Sequence, residues 1–329
     1  MDLRVLDAGE VRQALPMAEA VEAMKRAFGL LSGGEVSMPL RSRVEIAEQN
    51  ATTLFMPAYG GAEAGLAVKI VSVFPHNPER GLPTIHAVVI VLDPLSGAPV
   101  ALLEGASLTA IRTGAASGAA TDLLARKSSH TVAVFGSGAQ ARTQLEAVCT
   151  VREIRTAWVY GIDAPGVEAF AREMAGRGPC PADLRIAETS GEAVAEADII
   201  CTATTATTPV FDGRRVRPGT HINAIGSYTP DMQEIDGDLV ARSLVVVDSR
   251  QAALVESGDL IIPQREGRIT EAQIHAELGE IVNGSRPGRT GEDQITIFKS
   301  VGIAIQDAVA AGAALQHAAQ CGLGRIVHL

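Results

Sequence analysis

Between His130 and about Thr150, a continuous run of apolar residues is followed by apolar residues at helical spacing. A glycine-rich turn separates the two parts. Residues 130–135 are mostly β-branched or apolar, which predicts a short strand buried on both faces. From Ala139 to about Thr150 the spacing predicts a helix. A strand, a glycine-rich turn and a helix in this order are typical of units that place a pyrophosphate on a helix N-terminus.

The turn itself, GSGAQA, has a GxGxxA spacing formed by Gly136, Gly138 and Ala141. The first glycine permits a tight turn, the second lets the backbone approach a phosphate, and the small alanine lets the helix pack on its strand. The alternative is a glycine turn of the kind found in many α/β proteins. The flanking strand and helix favour a dinucleotide-binding turn.

Strand and helix patterns continue to alternate after this unit. Strands are predicted over residues 154–160, 184–187, 198–203, 221–225 and 243–248, and helices over 166–175 and 191–196. This alternation predicts a doubly wound parallel sheet within about residues 115–300. Residues 264–294 are polar and contain glycine, and they predict surface structure of unspecified type.

The first 110 or so residues have a different pattern. Strands are predicted over residues 54–56, 65–74 and 85–93, a helix over 17–31, and a hairpin at the turn between VIVLD and PVALLEG. Alanine-rich helices are predicted over 107–127 and 300–320, and we expect the second to return to the N-terminal region. The predicted fold is α/β, with a Rossmann-type doubly wound domain at 115–299 and a β-rich α+β domain built from 1–114 and 300–329.

Composition narrows the class of partner. The 329 residues are 47% hydrophobic and 20% charged, which is typical of a globular protein of two domains. The net charge of −10 argues against nucleic acid or an anionic membrane surface as partner. No apolar run approaches the ~20 residues that span a bilayer.

The cysteines and the N-terminus predict a cytoplasmic protein. The four cysteines show no CxxC spacing and no histidine at metal-ligand spacing, so we expect reduced thiols and no metal site. The N-terminal sequence MDLRVLDAGE has no signal-peptide pattern.

Three basic residues occur where the pattern of the sequence is otherwise apolar. Lys69 lies on the apolar face of a predicted strand, Arg112 lies in the long alanine-rich helix, and Arg41 follows a proline. Their alternatives are an edge-strand lysine that blocks aggregation, a solvated helix arginine and a loop arginine. Together the three suit the carboxylate of an amino or keto acid.

The choice of cofactor depends on the end of the second strand of the dinucleotide unit. Asp163 is near the position from which a carboxylate binds the ribose hydroxyls of NAD, although two residues beyond it. The alternative for Asp163 is a helix N-cap before Ala164 and Pro165. The sequence favours NAD(H) over NADP(H).

Several long motifs occur in order: MPAYGG, GLAVKIVSVFPHNPERGLPTIHA, LTAIRTGAASGAATDLLAR, GSGAQA, CTATT, GSYTPDMQEID and ITIFKSVGIAIQD. With them, nearly the whole chain resembles the ornithine cyclodeaminase/mu-crystallin family. The resemblance implies a substrate domain made of both chain ends, a Rossmann domain between them, and homodimers formed through the β-rich domains. Family activities include cyclising deamination of ornithine or lysine, alanine dehydrogenation and ketimine reduction, all centred on an imine beside a carboxylate.

The resemblance also implies roles for individual residues. Arg41, Lys69 and Arg112 fall on the positions that bind the substrate carboxylate. The loop beneath the nicotinamide and the segment that closes over it correspond to residues 202–204 and 299–302. The expected cofactor-binding residues are Gly136, Ser137, Gly138, Ala139, Gln140, Asp163, Thr202, Ala203, Thr204, Ser227, Lys299, Ser300 and Gly302.

One segment departs from the cyclodeaminase pattern. Cyclodeaminases carry an aspartate in a GGDxPG-like segment, and alignment on Pro230 places Tyr228 there, with Asp231 displaced by three residues. A tyrosine is a poor general base for an alkylammonium, although it can donate a hydrogen bond. The other carboxylates of DMQEIDGD are expected to cap a helix or face solvent.

The expected function is therefore NAD(P)H-dependent reduction of a small 2-imino acid to an L-amino acid, or the reverse dehydrogenation. Arg112 and Arg41 are expected to bind the carboxylate, and Lys69 either to bind it too or to protonate the imine nitrogen, directly or through water. Ornithine cyclodeamination and non-enzymatic ligand binding are the alternatives.

Overall fold

Two sheets organise the chain, each in its own unit. The computed structural model describes residues 1–329 apart from the side chains of Ala62 and Glu63. Unit 1 comprises Met1–Arg112 and Ile303–Leu329, and unit 2 comprises Thr113–Gly302. The substrate-binding and cofactor-binding roles expected for the two domains stay predictions.

Unit 1 contains a seven-stranded mixed sheet with the order β15-β1-β6-β5-β4-β3-β2. All neighbours are antiparallel except β1 and β6. The predicted hairpin is formed by β5 and β6. The strands are β1 Asp2–Leu6, β2 Ser42–Ile46, β3 Ala51–Tyr59, β4 Leu66–Val73, β5 Ile85–Leu92, β6 Pro99–Glu104 and β15 Arg325–His328.

Helices cover one face of this sheet. The C-terminal helix packs on β3, β4, β5 and the long N-terminal helix, as predicted for a segment that returns to the N-terminal region. Because it is rich in alanine, its backbone can lie close to the strands. The helices are α1 Ala8–Ala14, α2 Met17–Ser32, α3 Gly61–Ala64 and α12 Ala304–Cys321, and α4 Gly105–Leu124 begins in unit 1 and ends in unit 2.

Unit 2 contains an eight-stranded sheet in which every neighbouring pair is parallel. Its order is β13-β12-β14-β11-β10-β7-β8-β9, so the strand order reverses between β7 and β10. In a doubly wound sheet a ligand binds outside the carboxyl ends of the strands at this reversal. The strands are β7 Thr131–Phe135, β8 Thr156–Tyr160, β9 Leu184–Ile186, β10 Ile199–Thr202, β11 His221–Ala224, β12 Leu244–Val247, β13 Ile274–Glu277 and β14 Thr296–Lys299.

The helices of unit 2 alternate with these strands, which confirms the predicted fold class. α5 packs against β7 and β10, and α7 against β7 and β8. The helices are α5 Ala139–Val151, α6 Ala164–Met174, α7 Ser190–Ala195, α8 Gly237–Ala241, α9 Arg250–Glu256, α10 Gly258–Arg265 and α11 Leu278–Val282. Within the described part of the chain, no helix is long and apolar enough to cross a membrane.

The sequence analysis missed one interior strand of the parallel sheet. β14 lies between β12 and β11, although the expected last strand was 243–248. It has four residues, and two of them, Thr296 and Lys299, are polar yet fully buried, so no apolar run marks it. Residues 264–294, expected as surface structure, contain β13 and α11.

Candidate active site

The three predicted cations occupy unit 1, and Lys69 is the most buried of them. It lies on β4 with 3% of its surface exposed, and its Nζ is 2.8 Å from Oδ2 of Asp307. Because β4 pairs with both β3 and β5, the edge-strand alternative is wrong. A lysine placed in the interior of a sheet needs a counter-charge, which Asp307 provides.

Arg112 reaches the same carboxylate from α4. Its Nε donates to Oδ1 of Asp307 at 3.0 Å, and its Nη1 donates to Oε1 of Gln306 at 3.0 Å. The side chain is buried, so the alternative of a solvated helix arginine is wrong. Each oxygen of Asp307 therefore contacts a different cation.

Arg41 is half-buried in the segment before β2. Burial lowers the pKa of Lys69 to about 8, the positive charges of Arg112 and Arg41 act in the same direction, and Asp307 opposes them. Despite burial, Arg112 and Lys69 hold the pKa of Asp307 below its usual value. Two cations, Lys69 and Arg112, thus share one carboxylate, and the net positive charge of this cluster suits an anionic ligand.

Sequence reasoning missed Asp307 and Gln306. They lie in the first turn of α12 and are both buried. The available signal was two adjacent polar residues within the otherwise apolar run IAIQDAVAAGAA. A buried acid in such a helix needs a cation, and Lys69 and Arg112 were already candidates for that partner.

In unit 2 the glycine turn has the geometry of a phosphate cradle. Gly136 has φ 104°, and a Cβ there would lie 2.6 Å from the carbonyl oxygen of Ala203, so no other residue fits. Gly138 is the N-cap of α5 and provides no side-chain cap, so the first N–H groups of the helix remain for a ligand. A Cβ on Gly138 would meet nothing within 4 Å. Open space above helix N–H donors fits a pyrophosphate, and Ser137, Ala139 and Gln140 flank Gly138 in the sequence.

Asp163 lies at the exposed start of α6, beyond the end of β8. It occupies the N-cap position but makes no side-chain capping hydrogen bond, so the N-cap alternative does not account for its carboxylate. A Cβ added to Gly166 would lie 2.3 Å from Oδ2 of Asp163 and 2.9 Å from Oγ of Ser137. The Asp163 carboxylate and the Ser137 hydroxyl therefore lie together over Gly166.

Thr202 and Thr204, at the carboxyl end of β10, are held by Glu234. The glutamate accepts hydrogen bonds from Thr202 Oγ1 at 2.8 Å and from both N and Oγ1 of Thr204 at 2.7 Å. It also accepts from the N–H groups of Gly226 at 2.7 Å and Ser227 at 3.2 Å. The expectation that Glu234 caps a helix or faces solvent is wrong, because it is fully buried.

The other carboxylates of the same segment behave as expected. Asp236 accepts from Leu239 N at 2.9 Å and so caps α8, and Asp231 is exposed. Tyr228 is also exposed, at 49%. Neither Tyr228 nor Asp231 is therefore enclosed by other side chains.

Two of the expected cofactor-binding side chains point into unit 2. The hydroxyl of Ser227 donates to the carbonyl of Met232 at 2.7 Å, and Lys299 Nζ lies 3.0 Å from Oδ2 of Asp259. Both residues are buried. Their side chains are therefore already engaged within unit 2.

The end of β14 is held by Asp248. Its Oδ2 accepts hydrogen bonds from Ser300 Oγ at 2.7 Å, Val301 N at 2.9 Å and Gly302 N at 2.8 Å. The segment expected to close over the nicotinamide is thus anchored at three successive residues. No group of His, Cys, Asp or Glu side chains within the described residues could hold a metal ion.

Comparison with known proteins identifies the family of this chain. The sequence profile of the ornithine cyclodeaminase/mu-crystallin family matches residues 1–320. The chain belongs to this family. A Delta(1)-pyrroline-2-carboxylate reductase of Bacillus cereus is 40% identical over 321 residues, 97% of this chain and 98% of that protein. The mouse ketimine reductase mu-crystallin is 35% identical over 301 residues, 92% of this chain and 91% of that protein.

A solved structure of another family member is also similar. The Thermococcus litoralis Delta(1)-pyrroline-2-carboxylate reductase, in complex with NADH and L-proline, superposes with a TM-score of 0.94 at 45% identity. The match covers 99% of this chain and 100% of that chain. Family membership therefore extends to nearly the full length of the fold.

Proposed function

We propose that this chain is an NAD(P)H-dependent reductase that converts a small 2-imino acid to the L-amino acid, with Δ1-pyrroline-2-carboxylate as the first candidate substrate. The observation that carries the proposal is the buried cluster of Lys69, Arg112 and Asp307 in unit 1. The names of the similar enzymes from B. cereus and T. litoralis support this substrate.

In the proposed mechanism Arg112 and Arg41 bind the substrate carboxylate. Arg112 is already oriented by Asp307 and Gln306, so little side-chain entropy is lost when a ligand binds. Arginine also suits this role because its planar guanidinium can donate two parallel hydrogen bonds to a carboxylate.

Lys69 donates the proton to the imine nitrogen. Reduction of the C=N bond adds a hydride to carbon and a proton to nitrogen, and NADH, when bound, supplies the hydride. With a pKa of about 8, the Lys69 ammonium is protonated at neutral pH yet acidic enough to give up its proton. Asp307 keeps the ammonium charged before the reaction and would attract a proton from solvent back to Lys69 afterwards.

The cofactor would occupy the turn at Gly136–Gln140 and the carboxyl ends of β10 and β11. Asp163 would accept hydrogen bonds from the ribose hydroxyls, and its charge would repel a 2′-phosphate. We therefore propose NADH in preference to NADPH.

The cyclodeaminase alternative has weaker support. Tyr228 stands where the resemblance expects the catalytic aspartate, and its half-exposed phenol has no base beside it among the described hydrogen bonds. Pure ligand binding without catalysis would leave the lowered pKa of Lys69 without a use.

We also propose a homodimer formed through the unit 1 sheet. On the face opposite α12, two rows of cross-strand neighbours are apolar and half-exposed or exposed. One row is Phe55, Ile70 and Val88, and the other is Pro57, Val68, Ile90 and Leu102. On the covered face, Met56, Val89 and Leu103 are buried. An apolar sheet face of this extent favours burial against a second copy. A cytoplasmic location remains a prediction from the sequence.

Oxidation of NADH and of NADPH, followed by absorbance, tests the function. The panel contains Δ1-pyrroline-2-carboxylate, Δ1-piperideine-2-carboxylate, pyruvate with ammonia, and oxaloacetate with ammonia. Ornithine with NAD⁺ is assayed in parallel for proline. Oxidation with one imino acid and no proline from ornithine supports the proposal. Proline and ammonia from ornithine, without net NADH, would establish the cyclodeaminase alternative instead.

A further inference from the structure

Glu234 joins two other segments of unit 2: residues 202–204 lie 30–32 residues before it, and residues 226–227 lie 7–8 residues before it. Its Oε1 receives two hydrogen bonds from Thr204, and its Oε2 receives one from Thr202 and two from the N–H groups of Gly226 and Ser227. The segments after β10 and after β11 are thus tied to one buried carboxylate. No cation forms a salt bridge with Glu234 among the described side chains.

The donor set requires a carboxylate. Backbone N–H groups cannot turn into acceptors, and they approach both oxygens of Glu234, one from Thr204 and two from Gly226 and Ser227. An amide in either orientation would place its NH2 group against at least one of these N–H donors. Glutamine at this position therefore has the right shape and the wrong hydrogen-bonding character.

Glu234 is itself held in place through its backbone. Asp259 Oδ1 accepts from the N–H groups of Glu234 at 2.7 Å and Ile235 at 3.0 Å, while its other oxygen contacts Lys299. The arrangement thus includes the end of β14 as well. A carboxylate fixed at its own backbone can fix the loops that donate to it.

The loop after β10 packs on the glycine turn, and the loop after β11 packs on the loop after β10. The carbonyl oxygen of Ala203 would lie 2.6 Å from a Cβ on Gly136, and that of Thr204 would lie 2.2 Å from a Cβ on Gly226. A side chain at either glycine would displace these carbonyl groups. The surface beyond the carboxyl ends of β10 and β11 lies on the far side of the sheet reversal from β8, where Asp163 is. In a doubly wound sheet the two halves of a dinucleotide bind on opposite sides of that reversal.

We propose that Glu234 is a positioning residue that shapes the surface for the nicotinamide half of the dinucleotide, without itself contacting the adenosine half. This inference rests on the proposed dinucleotide function. Glu234 thus acts on the binding of one half of the ligand, in addition to stabilising the fold.

The test compares two ligands that differ by the nicotinamide. NADH and ADP-ribose are titrated calorimetrically into the wild-type protein and the Glu234→Gln variant. We expect the Kd of NADH to rise about tenfold or more, and the Kd of ADP-ribose to change by less than about twofold. Where turnover is measurable, the KM for NADH should rise while the KM for the imino acid stays constant.

Asp236→Asn is the matched control. It removes a carboxylate two positions away that caps α8 and accepts from Gly213 N at 2.8 Å, so it lowers Tm without altering the NADH to ADP-ribose ratio. Thr204→Val is the second variant, for use if Glu234→Gln does not fold. It removes one hydroxyl donor to Glu234 and should change the ratio in the same direction by a smaller factor.

An equal loss of affinity for NADH and ADP-ribose in Glu234→Gln would overturn the inference, as would unchanged NADH binding. If the wild-type protein binds both ligands and reduces no imino acid, the proposed reaction is wrong. The comparison of NADH and ADP-ribose affinities in Glu234→Gln still tests the role of Glu234. If wild-type protein binds neither ligand, both proposals fail.

Discussion

The Lys69 ammonium lies 2.8 Å from the Asp307 carboxylate, and both groups are almost completely buried. A buried ion pair is weak evidence for stability, because desolvation of the two charges offsets most of their attraction. Here the carboxylate also contacts Arg112, so it balances only part of the positive charge around it. We infer that the cluster is retained for its chemistry, since an apolar replacement would pack at least as well.

The pH dependence of reduction should follow the protonation of Lys69. Because its pKa is about 8, kcat should fall as the pH rises above that value. Asp307 raises the pKa of Lys69, so Asp307→Asn should move this basic limb to lower pH and reduce the rate at neutral pH about tenfold or more. Asp93→Asn, at the hairpin turn of the same unit, serves as control. A basic limb that stays in place in Asp307→Asn would contradict the role of Lys69 as proton donor.

Replacement of Lys69 by methionine separates proton donation from cofactor binding. Methionine keeps the length of the side chain and removes the ammonium, so kcat should fall about a hundredfold or more. The Kd of NADH, measured by fluorescence, should remain within about twofold, because the contacts proposed for the cofactor lie in unit 2. A loss of NADH affinity equal to the loss of turnover would show that Lys69 supports structure instead of catalysis.

The stability of the protein should depend on pH through the same lysine. The pKa of Lys69 is about 8 in the folded protein and 10.5 when unperturbed, so the unfolded chain binds more protons between these values. The free energy of unfolding from this group therefore rises with pH from about 8 to 10.5. Chemical denaturation of wild type and Lys69→Met at several pH values measures the difference. A difference that is constant across this window would mean that the pKa of Lys69 is close to its ordinary value.

The sequence predicts those parts of the fold that depend on residues close together in the chain. The turn at Gly136 and the strands β7 to β12 appear as local patterns, because glycine spacing and apolar runs are short-range properties. Asp307 was not predicted because its partner Arg112 is 195 residues away, so only the folded chain shows why the acid is buried. Glu234 was missed because its donors come from the ends of two other strands, which only the folded sheet brings to one carboxylate.

Asp163 should determine the choice between the two nicotinamide cofactors. Asp163→Ser removes the ribose acceptor and the charge that repels a 2′-phosphate, so the ratio of kcat/KM for NADPH to that for NADH should rise about tenfold. Glu168→Gln on the same helix removes a similar exposed charge and should leave the ratio unchanged. A wild-type preference for NADPH, retained in Asp163→Ser, would show that this carboxylate does not bind the ribose.

The exposed apolar face of the unit 1 sheet should form the dimer interface. Ile90→Lys places a charge at the centre of that face, between Val68 and Leu102 on the neighbouring strands, and burial of an unpaired ammonium between two copies costs several kcal/mol. The variant should therefore elute as a monomer under conditions in which the wild-type protein is a dimer, with mass measured by light scattering. Leu95→Lys is the control, because Leu95 is 92% exposed at the hairpin turn and lies off this face. A dimer that persists in Ile90→Lys but dissociates in Leu95→Lys would place the interface at the turn, whereas a wild-type monomer would exclude the proposed assembly.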